Sequence, residues 1–246
     1  QQPPITTTRL SPPSAIAHFD FDDQRLRPWR LVESVESKLS IAPSGGKLTR
    51  SPALMLQTGG SETANTLLAP IPTVRLPNIG DRVTLQFDAT HNAAGFYDQA
   101  FQFGLFSRSA SLTSHDGDAL NEPPALPVSG WLADVDLGSS TTRSSAILRQ
   151  AQPSLQRESK EHPLWQGPLI ARDDNDELPD PLMFTRQRKI TFWFVIERAA
   201  SNRLRVFLRN SVSGDAGGLL GTIAAPAEFQ VDCIRLRFEA PEATLL

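Results

Sequence analysis

Through the last third of the chain apolar and polar residues alternate one for one, and this period limits the fold more than any other feature. Over residues 189–198, Ile190, Phe192, Phe194 and Ile196 take every second position, and Thr191, Trp193, Val195 and Glu197 take the others. Ser201-Asn202 is a turn signal. After it, Leu204, Val206 and Leu208 alternate with Arg203, Arg205, Phe207 and Arg209. A helix would need apolar residues three and four apart; a spacing of two puts successive side chains on opposite faces of a strand. Two such runs joined by a tight turn read as a hairpin with one dry face and one wet face.

The same period recurs upstream. Val83, Leu85 and Phe87 alternate with polar residues over 81–88, and Phe101, Phe103 and Leu105 alternate with Gln102, Gly104 and Phe106 over 100–107. The apolar and polar positions at 17–22 give a first strand. Residues 29–35, 38–42, 53–57, 130–137, 219–223 and 230–238 read as further strands, with 73–76 as an edge strand between Pro72 and Pro77. Residues 144–156 are the best helix candidate. Many short strands divided by Gly, Pro, Ser and Asn turns predict an all-β antiparallel two-sheet β-sandwich with little helix. No internal repeat or compositional break divides the chain. The expected organisation is a tether at 1–16, one sandwich at 17–240 and a short tail at 241–246.

Size and charge narrow the function classes. A chain of 246 residues can bury about 70% of its unfolded surface, enough for one core without metal or disulfide staples. The single Cys excludes an internal disulfide framework. Cys233 lies in an apolar run and reads as a small core residue. No run approaches the length of a membrane-spanning helix. The net charge of -3 argues against a general nucleic-acid binder. The basic residues are 20 Arg against 4 Lys, which fits GC-rich codon usage and also supplies planar forks for carboxylate or phosphate. The Pro-, Thr- and Ser-rich start without Met is read as an exported chain, secreted, periplasmic or at the cell surface.

Phe19-Asp20-Phe21-Asp22-Asp23 with Trp29 soon after, the pair 83–88 and 101–106, and the closing runs 190–198, 204–209 and 229–238 resemble the concanavalin A-like lectin/glucanase jelly roll. The resemblance covers the chain from about Ala17. It implies a sandwich whose last strand returns beside the first. The superfamily includes lectins, carbohydrate-binding modules, glycoside hydrolases and polysaccharide lyases, so the resemblance implies glycan contact without settling activity.

The catalytic signatures of those relatives are missing. A retaining glycosidase needs two carboxylates about 5–5.5 Å apart. Asp134 with Asp136, and Asp20 with Asp22, have the spacing but no third acid in register, and the Glu-x-Asp-x-Glu strand of the glucanases is absent. The Arg-x-Glu-x-Arg and Gln-x-His signatures of alginate lyases are absent too. The one Tyr, Tyr97, and the four His, His18, His91, His115 and His162, are scattered. A polysaccharide lyase or hydrolase is therefore the alternative, and a structural or protein-interaction domain with an apolar patch is a third reading.

Binding without catalysis needs only an exposed ring and forked polar groups. Trp193 falls on the polar side of its strand and is the expected stacking ring; Trp131 and Trp165 are secondary, and Trp29 reads as core. The expected ligand-binding set is Gln102, Trp193, Arg205 and Arg235 on one sheet face, with a glycan, an acidic polysaccharide among the candidates, as partner. No cofactor is required. Asp20, Asp22 and Asp23 are the expected oxygen ligands of a structural calcium ion. The acidic stretch 173–177 lacks the Gly and Glu of an EF-hand loop and reads as a solvated loop.

Overall fold

The computed structural model describes residues 15–19, 26, 28–33, 38–42, 52–58, 65–94, 97–108, 128–138, 146–151, 169–171, 184–211, 218–224, 229–240 and 243–245. The strands are β1 (Arg30–Glu33), β2 (Lys38–Ala42), β3 (Ala53–Gln57), β4 (Asn65–Arg75), β5 (Arg82–Ala89), β6 (Tyr97–Arg108), β7 (Val128–Gly138), β8 (Ala146–Ala151), β9 (Leu169–Ala171), β10 (Phe184–Thr185), β11 (Ile190–Ala200), β12 (Arg203–Asn210), β13 (Gly218–Ala224), β14 (Gln230–Phe238) and β15 (Thr244–Leu245). No helix occurs among the described residues. An eight-stranded sheet runs β1-β4-β14-β6-β7-β8-β9, with β10 beside β7. A four-stranded sheet runs β13-β12-β11-β5, and a small third sheet runs β15-β3-β2. All pairings are antiparallel except β10 with β7. The expected all-β antiparallel sandwich is what the chain forms.

The two large sheets meet through aromatic rings placed by the period of two. Phe87 of β5 and Phe192 of β11 face Phe101 and Phe103 of β6. The Phe87–Phe103 centroids are 5.0 Å apart, Phe103–Phe192 5.1 Å and Phe87–Phe192 5.5 Å. Phe101, Phe103, Phe192 and Phe194 are fully buried, each worth roughly 1.5–3 kcal/mol of burial. Gly104 and Gly130 let β6 and β7 approach closely: a Cβ on Gly104 would stand 2.7 Å from the Leu132 Cα and against the Trp131 carbonyl.

The strand β4 contains Pro70 and Pro72, residues that a central ladder does not accept. It tolerates them because β1 pairs only with Thr66–Leu68, and because the ladder with β14 slips between Val231 and Cys233. Cys233 is buried, as expected.

Several expectations are corrected. The helix expected at 144–156 contains β8 instead, because the backbone of Ala146–Ala151 completes ladders with β7 and β9. A helix that short is marginal alone. Ala17–Phe19 carries no strand. Of the expected first strand, residues 20–22 lie outside the described residues; the last long strand, β14, lies in one sheet with β1, and β4 stands between them. The runs at 81–88 and 100–107 are opposite layers, joined by their phenylalanines. The segment 241–246 contains β15, which pairs with β3 because Ala243 and Leu245 bury in the core.

Candidate functional site

The outer face of the four-stranded sheet carries a regular grid. Strand β11 is its spine: Trp193 stands opposite Gln86 on β5 and Arg209 on β12. The next row is Thr84, Val195 and Phe207. The row after it is Arg82, Glu197 and Arg205, with Thr222 of β13 beyond. Gln86, Arg82, Arg203, Arg205 and Arg209 are exposed, and Trp193 and Phe207 are half-buried. The inner positions of the same strands, from Ile190 to Ile196 and from Leu204 to Leu208, are fully buried. The rings therefore lie on a firm base with polar groups to both sides.

At the rim of this face Asp88 accepts from Lys189 Nζ at 2.6 Å and from Thr191 Oγ1 at 2.7 Å. Partial burial pushes its carboxyl up, but the hydrogen bonds from Lys189 and Thr191 and the charge of Lys189 prevail and hold its pKa below the ordinary value. With Asp88 answered by Lys189, and with Glu197 set between Arg82 and Arg205, the face as a whole is positive. That sign is opposite to the net charge of -3.

Of the four expected ligand-binding residues, the structure brings Trp193 and Arg205 to this face and takes Gln102 and Arg235 elsewhere. The latter lie on the eight-stranded sheet, on the side away from the phenylalanine core. The row Thr66, Arg237, Gln102 and Asp134 crosses β4, β14, β6 and β7. Gln102 Nε2 donates to Asp134 Oδ2 at 3.2 Å, and Arg237 pairs with Glu239 at 2.7 Å. The Arg235 guanidinium lies 5.6 Å from the Phe106 ring centroid. Gln102, Asp134, Arg235 and Arg237 are all buried, Arg235 to 1% exposure, so they meet no ligand as they stand. Arg203, Arg205, Arg235 and Arg237 look alike in sequence, yet they divide between two sheets.

Trp131 is buried beside Phe229, at 5.1 Å, and Trp29 packs against Phe19 at 5.6 Å. Trp165, the acidic stretch 173–177, and Asp20, Asp22 and Asp23 lie outside the described residues. Among the described residues no three His, Cys, Asp or Glu come together as a metal site, and no helix is long and apolar enough to cross a membrane. Among the described residues the exposed large hydrophobics are two single side chains, Ile16 and Ile79. The residues that the sequence did not single out are Phe207 and Arg209. Their signal was present in the period of two, which puts Phe207 among the arginines of its strand. Only the pairing with β11 shows that they flank Trp193.

Comparison with family models and with curated proteins finds no match. Solved structures similar to the chain include the potassium-bound carbohydrate recognition domain of Emp46p (10% identity over 95% of this chain and 91% of that one, TM-score 0.43). They also include the exoplasmic/lumenal domain of VIP36 bound to Ca2+ and Man3GlcNAc (9%, 92% and 86%, TM-score 0.42). A third is a mutant of the alginate lyase Aly36B in complex with alginate tetrasaccharide (10%, 78% and 76%, TM-score 0.39). At these values the likeness bears on neither ligand nor activity.

Proposed function

We propose that the chain is a non-catalytic glycan-binding module of a secreted or cell-surface protein, and that its ligand lies on the outer face of β5, β11 and β12. The observation that carries this reading is the cross-strand setting of Trp193, with Gln86 on one side and Arg209 on the other. An indole face stacks on the apolar side of a sugar ring, while forked amide and guanidinium groups reach its oxygens. The positive sign of the face favours a glycan bearing carboxylate or sulfate.

Tryptophan fluorescence titration with uronate-rich and neutral oligosaccharides tests the proposal, with Trp193→Phe separating this indole from the other three. A saturable change that Trp193→Phe abolishes is expected. No change with any sugar sinks the reading.

A lyase or hydrolase acting on the far face of the eight-stranded sheet is the second reading. The row Arg237, Gln102 and Asp134, with Arg235 one row on, favours it, since it gathers an amide, an acid and guanidiniums. Burial of all four weighs against it. Release of new reducing or unsaturated ends from alginate or pectate would support it.

A further inference from the structure

Resting on the glycan reading, we infer that the ligand is an extended acidic polysaccharide spanning several rows of β11 and β12, rather than a single sugar. Two rings share the face. Phe207 stands opposite Val195, one row on from the pair Trp193 and Arg209. Trp193 and Phe207 are thus diagonal neighbours on adjacent strands, about 7–8 Å apart at the backbone. One sugar covers one of these rings; a chain of sugars covers both.

Charge extends the same axis. On β12 the exposed residues run Arg203, Arg205, half-buried Phe207 and Arg209. At ~3.4 Å per residue the Arg205-to-Arg209 span is ~14 Å, and Arg203-to-Arg209 is ~20 Å. A ligand that stacks on Trp193 and also reaches Arg205 must bridge those rows, and its anionic groups must recur along its length. Guanidinium forks match carboxylate and sulfate in geometry. Glu197, between Arg82 and Arg205, leaves Arg203 and Arg209 as the guanidiniums without an acid directly opposite in the ladder.

Aromatic rings and arginines on a sheet also suit single-stranded nucleic acid. The acidic chain as a whole opposes a nucleic-acid polyanion, so an oligonucleotide serves as a control rather than as the proposal.

The experiment is calorimetric titration of the full chain with oligogalacturonates from the monomer to the octamer. Neutral cello-oligosaccharides of equal length and a single-stranded oligothymidylate are run beside them. Affinity is expected to rise about tenfold or more from monomer to tetramer and to fall with added salt. Phe207→Ala, or Phe207→Leu should the alanine variant unfold, is expected to flatten the length dependence and spare monomer binding. Replacing Arg203, Arg205 and Arg209 by Gln is expected to reduce the salt dependence sharply. A flat length profile, equal affinity for the neutral series, or tighter binding of the oligonucleotide overturns this inference. Neutral binding that still depends on Trp193 would leave the glycan reading standing. Absence of binding by every glycan overturns both.

Discussion

Arg198 Nε donates to the Leu76 carbonyl at 2.9 Å, and the same guanidinium donates to the Ser201 carbonyl at 2.8 Å through Nη1. One buried side chain thus ties the turn after β4 to the turn between β11 and β12. The backbone repeats the tie: Gly80 N–H donates to the Arg198 carbonyl and Arg198 N–H to the Asp81 carbonyl, both at 2.8 Å. Gly80 makes the turn possible with φ at +92°, a region that favours glycine. Arg198 occupies the inward position of its strand, where Ile196, Phe194 and Phe192 precede it.

Replacing Arg198 with Ala removes both side-chain bonds and leaves the Leu76 carbonyl buried without that donor. Hydrogen bonds from charged donors contribute about 1.5–3 kcal/mol each, and an unsatisfied buried acceptor costs about 1–3. A loss of about 3 kcal/mol in urea unfolding is expected, with Lys recovering little because an ammonium lacks the fork. An unchanged unfolding midpoint for Arg198→Ala would dismiss the tie as incidental.

The Asp88–Lys189 pair predicts a pH effect with a definite sign. The folded carboxyl has a lowered pKa, so the pair adds stability above the ordinary carboxylate value of about 3.9. That stability is lost as pH falls through the folded pKa. Asp88→Asn should therefore be less stable than the parent at neutral pH, with the gap closing in acid below the ordinary value. The gap should also shrink with salt, since both side chains are about half exposed. A gap that persists undiminished at pH 2 would show that the Asn variant loses something other than the charge.

Sequence alternation was enough for the strands themselves. The bounds of β2, β3 and β14 are those expected, and Trp193 is on the outer side as its parity requires. Alternation says which residues share a face of one strand, but not which strands share a sheet. Arg205 and Arg235 hold equivalent positions in their local patterns. Pairing sets them apart: β12 lies between β11 and β13, whereas β14 lies between β4 and β6. That choice depends on contacts far apart in sequence and on a β4 that its prolines disguise. β8 was hidden for a related reason. Ala146–Ala151 has no clean period of two, and its partner β7 supplies the ladder that its own residues do not announce.

Phe192 and Trp193 are adjacent in sequence and should answer to different assays. Phe192 is fully buried between the sheets and meets Phe87, Phe101 and Phe103. Phe192→Ala should cost about 3–5 kcal/mol of stability and abolish binding only by unfolding the chain. Trp193→Ala should cost about 1 kcal/mol or less, as a half-exposed position does, and should remove glycan binding from a folded protein. Denaturation curves and titrations on the two variants check both halves. Equal stability losses would mean that the outer face is packed against something, and not open to a ligand.

Thr58 governs how the end of the chain is held. Its hydroxyl donates to the Ala240 carbonyl at 2.5 Å and accepts from Ala243 N–H at 2.8 Å, while its own N–H donates to the Ala243 carbonyl at 2.9 Å. From the other side, Asn92 Oδ1 accepts from Thr244 N–H at 2.6 Å. These bonds seat β15 against β3 and bring Leu245 into the core. Thr58→Val keeps the shape and deletes the hydroxyl, leaving the Ala243 N–H without its acceptor at a cost of about 1–3 kcal/mol. The loss should be local. Hydrogen exchange should quicken at Thr244 and Leu245 well before it quickens in β6 or β11, because the phenylalanine core between the large sheets is untouched. Faster exchange across every strand at once would instead make the closing segment part of the global folding unit, and truncation before Ala243 would then unfold the whole sandwich.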